Sequence, residues 1–198
     1  MRNLIIISWF ALLSAGIGFI FWHSEWKYSL PTPKPSGLKE VGIGGNIDIG
    51  SILPDNESGP VFLHFYNPDC PCSRFNLPHF REIVLTHGRN VRFAVVLMTE
   101  KKYTDDEVKK KLQLDIPILR DTSIAATCGV YSTPQAVILS ADEKIYYRGN
   151  YNKSRYCSDE STSYAKIALN QLRHNQTQRI YDKYALTAYG CQLPNCTK

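Results

Sequence analysis

The segment VFLHFYNPDCPCSRFNLP, residues 61–78, carries the strongest structural signal in the chain. Its start is mostly apolar and aromatic, which predicts a buried strand at residues 61–66. Apolar residues at roughly helical spacing then predict a helix over residues 72–87. Cys70 and Cys72 therefore lie where a strand ends and a helix begins. Because the N–H groups and positive dipole end of a helix favour thiolate over thiol, the segment predicts redox chemistry at sulfur.

The rest of the chain adds strands and helices in an α/β order. A continuous apolar run predicts a strand of the kind buried in a parallel sheet, at residues 91–98. Further helices are predicted at residues 105–112, 122–128 and 158–174. Ser158 or Asp159 is the expected N-cap of the last one. Two runs joined by a turn predict an antiparallel hairpin, residues 135–139 and 144–148. We therefore predict an α/β fold with a central mixed sheet flanked by helices.

This order of elements and three motifs resemble the thioredoxin-like superfamily over roughly residues 40–176. Cys70 matches the attacking cysteine of that family, and Pro78 matches the proline that commonly kinks its first long helix. The pair Thr133-Pro134, in YSTPQAVIL, is similar to the cis-proline loop that leads into a strand. The resemblance implies a thioredoxin-like fold and thiol–disulfide exchange at Cys70.

The active-site segment departs from the family pattern of Cys-x-x-Cys. The chain reads Cys70-Pro71-Cys72-Ser73, so a serine occupies the position of the resolving cysteine. Asp69 stands where the family usually has tryptophan. A Cys70–Cys72 bridge would close a very small ring, and departures from relaxed disulfide geometry make a bond easier to reduce. Such a bond would suit an oxidant or isomerase better than a reductant.

The resolving thiol is alternatively supplied from elsewhere in the chain. Cys157 is the leading candidate, because it follows the hairpin strand that runs back toward the active-site end of the sheet. Its other interpretation is a structural bridge to Cys128, which is otherwise a buried small apolar residue. Cys191 and Cys196 suit a local clasp on the tail or a bridge to the body, in either case a structural function. Six cysteines allow fifteen complete pairings.

Three other positions near Cys70 carry predictions of function. His64 matches the position of a buried acid in thioredoxins, so it is either a base near neutral pH or a satisfied core histidine. Asp69 either disfavours the Cys70 thiolate by charge repulsion or points to solvent. A cis bond at Thr133-Pro134 would expose the Thr133 backbone to an extended substrate strand, and the alternative is a plain turn.

The N-terminus contains an uncharged apolar stretch, residues 4–22, that is long enough to cross a bilayer. We read it as a single-pass signal anchor, with Arg2 retained inside and the remaining chain outside the cytoplasm, in the periplasm or on the outer face of the cytoplasmic membrane. The alternative is a signal peptide cleaved near Ser14-Ala15-Gly16. An extracytoplasmic location permits disulfides. The predicted organisation is an anchor, a proline-rich linker, a thioredoxin-like domain and a cysteine-containing tail, at residues 1–22, 23–37, 38–176 and 177–198.

The composition and motifs narrow the range of possible functions further. A net charge of +5 with no basic run argues against nucleic acid as a partner. No motif points to a flavin, nicotinamide or haem cofactor. We predict a membrane-anchored thiol–disulfide oxidoreductase that acts on protein thiols or a redox partner. The alternatives are Cu(I) handling by Cys-x-Cys, a thiol peroxidase and a redox-inert scaffold. Peroxidase activity is the least expected, because Asn67 replaces the threonine that peroxiredoxins use to bind peroxide.

Overall fold

The computed structural model describes residues 2–48, 50, 52–53, 58–176 and 181–193. In this part of the chain the strands are β1 (Val61–Tyr66), β2 (Arg92–Leu97), β3 (Ile118–Leu119), β4 (Ser132–Thr133), β5 (Gln135–Leu139), β6 (Ile145–Gly149) and β7 (Cys191–Gln192). The α-helices are α1 (Arg2–Phe21), α2 (Lys27–Ser29), α3 (Pro71–His87), α4 (Asp105–Leu112), α5 (Ser123–Thr127), α6 (Tyr164–Arg173) and α7 (Lys183–Leu186). A π-helical turn, Trp22–Trp26, continues α1, and a 3-10 turn, Glu160–Thr162, precedes α6.

Five strands form the central sheet in the order β3-β2-β1-β5-β6. β2 is parallel to both β1 and β3, whereas β5 is antiparallel to both β1 and β6. The register places His64 of β1 between Val95 and Ala136. This mixed sheet flanked by helices is a thioredoxin-like fold, which confirms the predicted fold class.

The core lies on both faces of the sheet, and β1 contributes to each. All six residues of β1 are buried. Phe62 packs in the layer that α3 and α6 form, together with Phe80 of α3. Leu63 packs in the opposite layer, together with Ala125 of α5. Because both faces are covered, β1 appears in the sequence as a nearly continuous apolar run. Its buried position also fixes where the strand ends, and therefore where the turn toward Cys70 begins.

Helix α3 begins at Pro71, one residue earlier than predicted, with Cys70 as its N-cap. Proline suits this first position because the missing N–H would have no partner inside the helix. The Cys70 N–H donates to the Asn67 carbonyl oxygen at 3.1 Å, which closes the turn between β1 and α3. Pro78 lies within the helix. The local sequence therefore fixes Cys70 at the start of the helix.

The last long helix differs from the prediction. α6 begins at Tyr164, whereas the sequence predicts a start near residue 158. Asp159 does act as a cap, but its side chain accepts from the N–H of Ser161 in the short 3-10 turn. The Asp159 carbonyl oxygen also accepts from the side-chain amide of Asn152 at 2.6 Å. These bonds hold the segment in a turn before the helix starts.

The C-terminal residues 181–193 pack against the body of the domain. β7 pairs antiparallel with β4 in a separate two-stranded sheet. The Asn150 side-chain amide donates to the carbonyl oxygens of Tyr184 and Thr187, both at 2.6 Å. Thr32 holds the same segment from the other side, because its hydroxyl donates to the Gly190 carbonyl oxygen at 3.0 Å. These contacts place the tail beside the end of the sheet that carries Cys70.

Helix α1 has an entirely exposed apolar surface. Together with the turn that follows, it is the one helix in the described residues that is long and apolar enough to cross a membrane. Such a helix at the N-terminus fits either a membrane anchor or a signal peptide.

Candidate functional site

Cys70 forms a disulfide with Cys191 of the tail, and their Cα atoms lie 6.3 Å apart. Both cysteines are fully buried. The sequence offered Cys72 and Cys157 as partners for Cys70, and the structure forms neither of those bridges. For Cys191 the sequence offered a clasp or a bridge to the body, and the structure forms the latter. Cys196 lies outside the described residues.

The β4–β7 pair positions Cys191 against the proline loop. Thr133 of β4 lies opposite Cys191, and the Thr133-Pro134 bond is cis, as the sequence predicts. The Cys70 Sγ lies 3.6 Å from the Thr133 carbonyl oxygen. Gly190 permits this close approach, since its φ is +154° and an added Cβ would overlap the Thr133 carbonyl oxygen. The tail thus occupies the edge of Thr133 at which the sequence predicts a substrate strand.

Cys72 lies beside the bridge but is not part of it. The sulfur atoms of Cys70, Cys72 and Cys191 all lie within 4.8 Å of one another. Cys72 is buried, yet it also lines a cleft of about 290 Å³. A third sulfur therefore lies within reach of both atoms of the disulfide.

Cys157 lines the same cleft from the loop before α6. Its backbone is left-handed, with φ +53°. Its thiol donates to the Asn76 side-chain oxygen at 3.1 Å. Burial is the main cause that raises the pKa of Cys157 to about 12, and the charge of a deprotonated Cys72 would add to it. Cys157 is therefore a protonated thiol at neutral pH.

Arg155 connects the cleft to the segment that follows α1. Its Nη2 donates to the Glu25 carboxylate at 2.7 Å and to the Tyr156 hydroxyl at 2.8 Å. Its guanidinium lies 5.1 Å from the centroid of the Tyr28 ring. Burial lowers the pKa of Arg155, but the Tyr156 hydrogen bond and the charges of Glu25 and Cys72 outweigh burial and raise it. Arg155 thus lies close enough to Cys72 to interact with its charge.

His64 lies in the core between the sheet and α3. Its Nδ1 is hydrogen-bonded to the Tyr151 hydroxyl at 2.8 Å, and its ring stacks on Phe80 with centroids 4.1 Å apart. Burial lowers its pKa to about 3. His64 is therefore neutral at pH 7 and a weak base. Its catalytic function stays a prediction, and its contacts are those of a core histidine.

Asp69 has several hydrogen-bond partners near Cys70. Its Oδ1 accepts from Lys101 at 2.9 Å and from the Tyr103 hydroxyl at 3.0 Å, and its Oδ2 accepts from Thr99 at 3.2 Å. Burial raises the pKa of Asp69, but these hydrogen bonds outweigh burial and lower it. The carboxylate is charged, and the positive charge of Lys101 largely compensates its negative charge.

Cys128 and Ser73 are both buried, and neither belongs to the cluster of three sulfur atoms. Cys128 packs in the core layer opposite α3, and burial raises its pKa to about 12. It is not bridged to Cys157. The Ser73 hydroxyl, at the position of the family's resolving cysteine, accepts from the Asn67 N–H at 3.4 Å. Cys128 therefore serves as a structural cysteine of this core.

The fold and the site together define a thioredoxin-fold protein with a buried disulfide at the helix start and a third cysteine beside it. Within that class, the chain belongs to the family described as "Domain of unknown function (DUF6436)", whose profile matches residues 50–193. No curated protein matches the chain.

Solved structures with a similar fold come from several bacteria. A hypothetical protein from Sinorhizobium meliloti 1021 is 15% identical with a TM-score of 0.57, over 70% of this chain and 80% of that one. An uncharacterized conserved protein from Geobacillus kaustophilus is 19% identical with a TM-score of 0.59, over 71% of this chain and 80% of that one. At this level of identity the similarity supports the fold.

Proposed function

We propose that this protein is a membrane-anchored thiol–disulfide oxidoreductase that exchanges disulfides with protein thiols outside the cytoplasm. One observation carries the proposal: Cys70 caps the start of α3 and is bridged to Cys191 beside the cis Thr133-Pro134 bond. Reduction of this bridge leaves the Cys70 sulfur at the positive end of a helix, where a thiolate is favoured.

The exchange uses Cys70 as the attacked sulfur and Cys191 as its partner. In the oxidising direction a substrate thiolate attacks the Cys70 sulfur, the bond to Cys191 breaks, and Cys191 leaves as a thiolate. A second substrate thiolate then attacks the substrate sulfur of this mixed disulfide, and Cys70 leaves. The substrate gains one disulfide and the protein keeps two thiols. The reducing direction is the reverse. Because Cys70 and Cys191 are fully buried, a protein substrate reaches them only when the tail moves.

The proposed location rests on two features. A buried disulfide between distant residues is typical of proteins that fold in an oxidising compartment. The apolar stretch 4–22, preceded by Arg2 at the start of α1, would retain the N-terminus inside and place residues 23–198 outside. The proposed organisation is the one predicted from the sequence, with residues 38–176 as the thioredoxin-like domain.

Trapping of mixed disulfides in cells tests the proposal. Cys191→Ser removes the thiol that resolves a Cys70 mixed disulfide, so partner-linked complexes should accumulate and be identified by mass spectrometry. Cys70→Ser should remove them, and Cys128→Ser should behave like the unmodified protein. The proposal is wrong if no variant forms a complex that depends on Cys70.

Copper handling is the second candidate, because three sulfur atoms converge in this site. The bridge must first be reduced, since a disulfide sulfur is a poor ligand. The reduced protein would then hold Cu(I) through Cys70, Cys72 and Cys191. Titration of the reduced protein against a chromophoric Cu(I) chelator separates the candidates. Tight binding that Cys72→Ser abolishes, without any trapped partner, would favour the copper function.

A further inference from the structure

The Cys70–Cys191 bridge is buried, whereas the cleft is open to solvent. Cys70 and Cys191 are both 0% exposed. Of the three clustered cysteines, Cys72 is the one that lines the cleft. Among these three cysteines, Cys72 is therefore the one that a reductant in the cleft can reach, and its sulfur lies within 4.8 Å of both bridge sulfurs.

Cys157 completes a second pair of thiols in the same cleft. It bonds to Asn76, which lies one helical turn after Cys72 on α3. Cys72, Asn76 and Cys157 all line this cleft, so the two thiols face the same space. Neither cysteine is disulfide-bonded in this structure.

We propose that Cys72 and Cys157 form a second redox pair, which carries electrons between the buried Cys70–Cys191 bridge and a thiol or disulfide docked in the cleft. This inference rests on the proposed function and assigns a partner-facing end to the same site. The protein substrate exchanges with Cys70 as proposed above, the redox partner exchanges with the Cys72–Cys157 pair in the cleft, and the buried bridge exchanges internally with that pair.

The internal exchange balances without an external reagent. The Cys72 thiolate attacks the Cys191 sulfur, the Cys70–Cys191 bond breaks, and Cys70 leaves as a thiolate. Cys157 then attacks the Cys72 sulfur, and the Cys72–Cys191 bond breaks. The proton of Cys157 passes through water in the cleft to the departing Cys191 sulfur. The result is a Cys72–Cys157 disulfide, a thiolate at Cys70 and a thiol at Cys191. A thiol partner in the cleft then reduces the Cys72–Cys157 disulfide by ordinary exchange.

The surroundings of the two cleft cysteines fit the order in which they act. Cys72 is the attacking sulfur because it is the cleft cysteine whose sulfur lies within 4.8 Å of both bridge sulfurs, and Arg155 lines the same cleft as a cation. Cys157 holds its proton in the hydrogen bond to Asn76, so it acts second, as the thiol that resolves the Cys72 intermediate.

The test measures how fast glutathione reduces the bridge in the full-length protein in detergent. Acid quenching, alkylation and peptide mapping report each disulfide. In the unmodified protein a Cys72–Cys157 peptide should form, with Cys70 and Cys191 alkylated. Cys72→Ser and Cys157→Ser should each slow loss of the Cys70–Cys191 peptide by about 100-fold, because an intramolecular thiol has a large effective concentration. Cys128→Ser is the control and should match the unmodified protein.

Cys157→Ser keeps a hydroxyl donor for Asn76, so it tests the relay with the loop contacts preserved. The relay is refuted if both serine variants lose the bridge as fast as the unmodified protein and no Cys72–Cys157 peptide forms. If Cys191→Ser still traps partners through Cys70 in that case, the proposed oxidoreductase function stands and only the relay fails. If neither trapping nor the Cys72–Cys157 peptide is found, both proposals fail.

Discussion

At the scale of single residues, the neighbours that matter for Cys70 are spatial rather than sequential. Asp69 adjoins it in the chain, yet its carboxylate is paired with Lys101. Cys191 is 121 residues away in the chain and is bonded to it. Cys72 is two residues away, and it lies beside the bridge rather than in it. The thiol chemistry of this site is therefore set by what the fold brings to the start of α3.

His64 gives a prediction about pH and stability. In the unfolded chain histidine titrates near pH 6.5, whereas burial lowers the folded-state pKa of His64 to about 3. Between these values the unfolded state binds a proton that the folded state does not. Stability is therefore fully present above pH 6.5 and is lost as the pH falls toward 3, with a loss of roughly 3 kcal/mol by pH 4.

Urea unfolding from pH 7 to pH 4 measures this contribution. His64→Gln keeps an acceptor for the Tyr151 hydroxyl and cannot be protonated in this range. The variant should lose less free energy of unfolding than the unmodified protein over the same range. An equal pH dependence in the two proteins would mean that His64 does not carry the effect. His79 and His87, whose pKa values are also lowered by burial, contribute equally to both proteins.

At the scale of elements, β7 occupies the edge of β4 that precedes the cis-proline. The Leu193 N–H donates to the Tyr131 carbonyl oxygen at 3.2 Å, which extends the pairing beyond β7. Thr32 adds a further bond, from its N–H to the Ala188 carbonyl oxygen at 2.8 Å. Under the proposed function, a protein substrate that pairs with this edge of β4 would first have to displace β7. Tail docking and substrate binding would then exclude each other at Thr133.

Gly190→Ala should loosen the docked tail. The added Cβ overlaps the Thr133 carbonyl oxygen, and φ of +154° disfavours alanine. We expect a loss of about 1–3 kcal/mol in the free energy of unfolding and faster reduction of the Cys70–Cys191 bridge by dithiothreitol. Gly42→Ala is the matched control, because a Cβ there meets open space and the backbone is not left-handed. The same reduction rate for both variants would contradict the prediction.

The local sequence predicts those elements whose hydrophobic pattern reflects which of their own residues are buried. β1, β2 and β5 appear as apolar runs because they are covered on both faces of the sheet, and α4 begins at a Thr104–Glu107 capping box. β4 and β7 have two residues each, too few to show a period. Their pairing depends on contacts between distant parts of the chain. That is why the fold and Cys70 are predictable from the sequence and the Cys191 partner is not.

At the scale of the whole molecule, one ion pair joins the segment after α1 to the cleft. Arg155 and Glu25 are 2.7 Å apart, with side chains 16% and 40% exposed. The same guanidinium lies 5.2 Å from the Phe75 ring centroid of α3. Arg155 thus connects the segment after α1 to the cleft that Cys72 lines.

A double-mutant cycle of Arg155→Met and Glu25→Gln measures the strength of this ion pair. We expect a coupling of about 1 kcal/mol in the free energy of unfolding in detergent, at the upper end for a partly exposed pair. The exposed pair Lys34–Glu40, varied as Lys34→Met and Glu40→Gln, is the control and should show a coupling near zero. Equal coupling in the two cycles would show that the cleft contact does not fix the segment.

Under the proposed membrane anchoring, the position of the cleft would also determine how a partner is encountered. Glu25 lies three residues after the apolar stretch 4–22, which is about 5 Å along a helix. With that stretch in a bilayer, the mouth of the cleft is at the height of the lipid headgroups. A partner held in the same membrane would meet it by lateral diffusion. The rate of exchange would then follow the number of partners per unit area of membrane, and dilution of the surrounding solution would leave it unchanged.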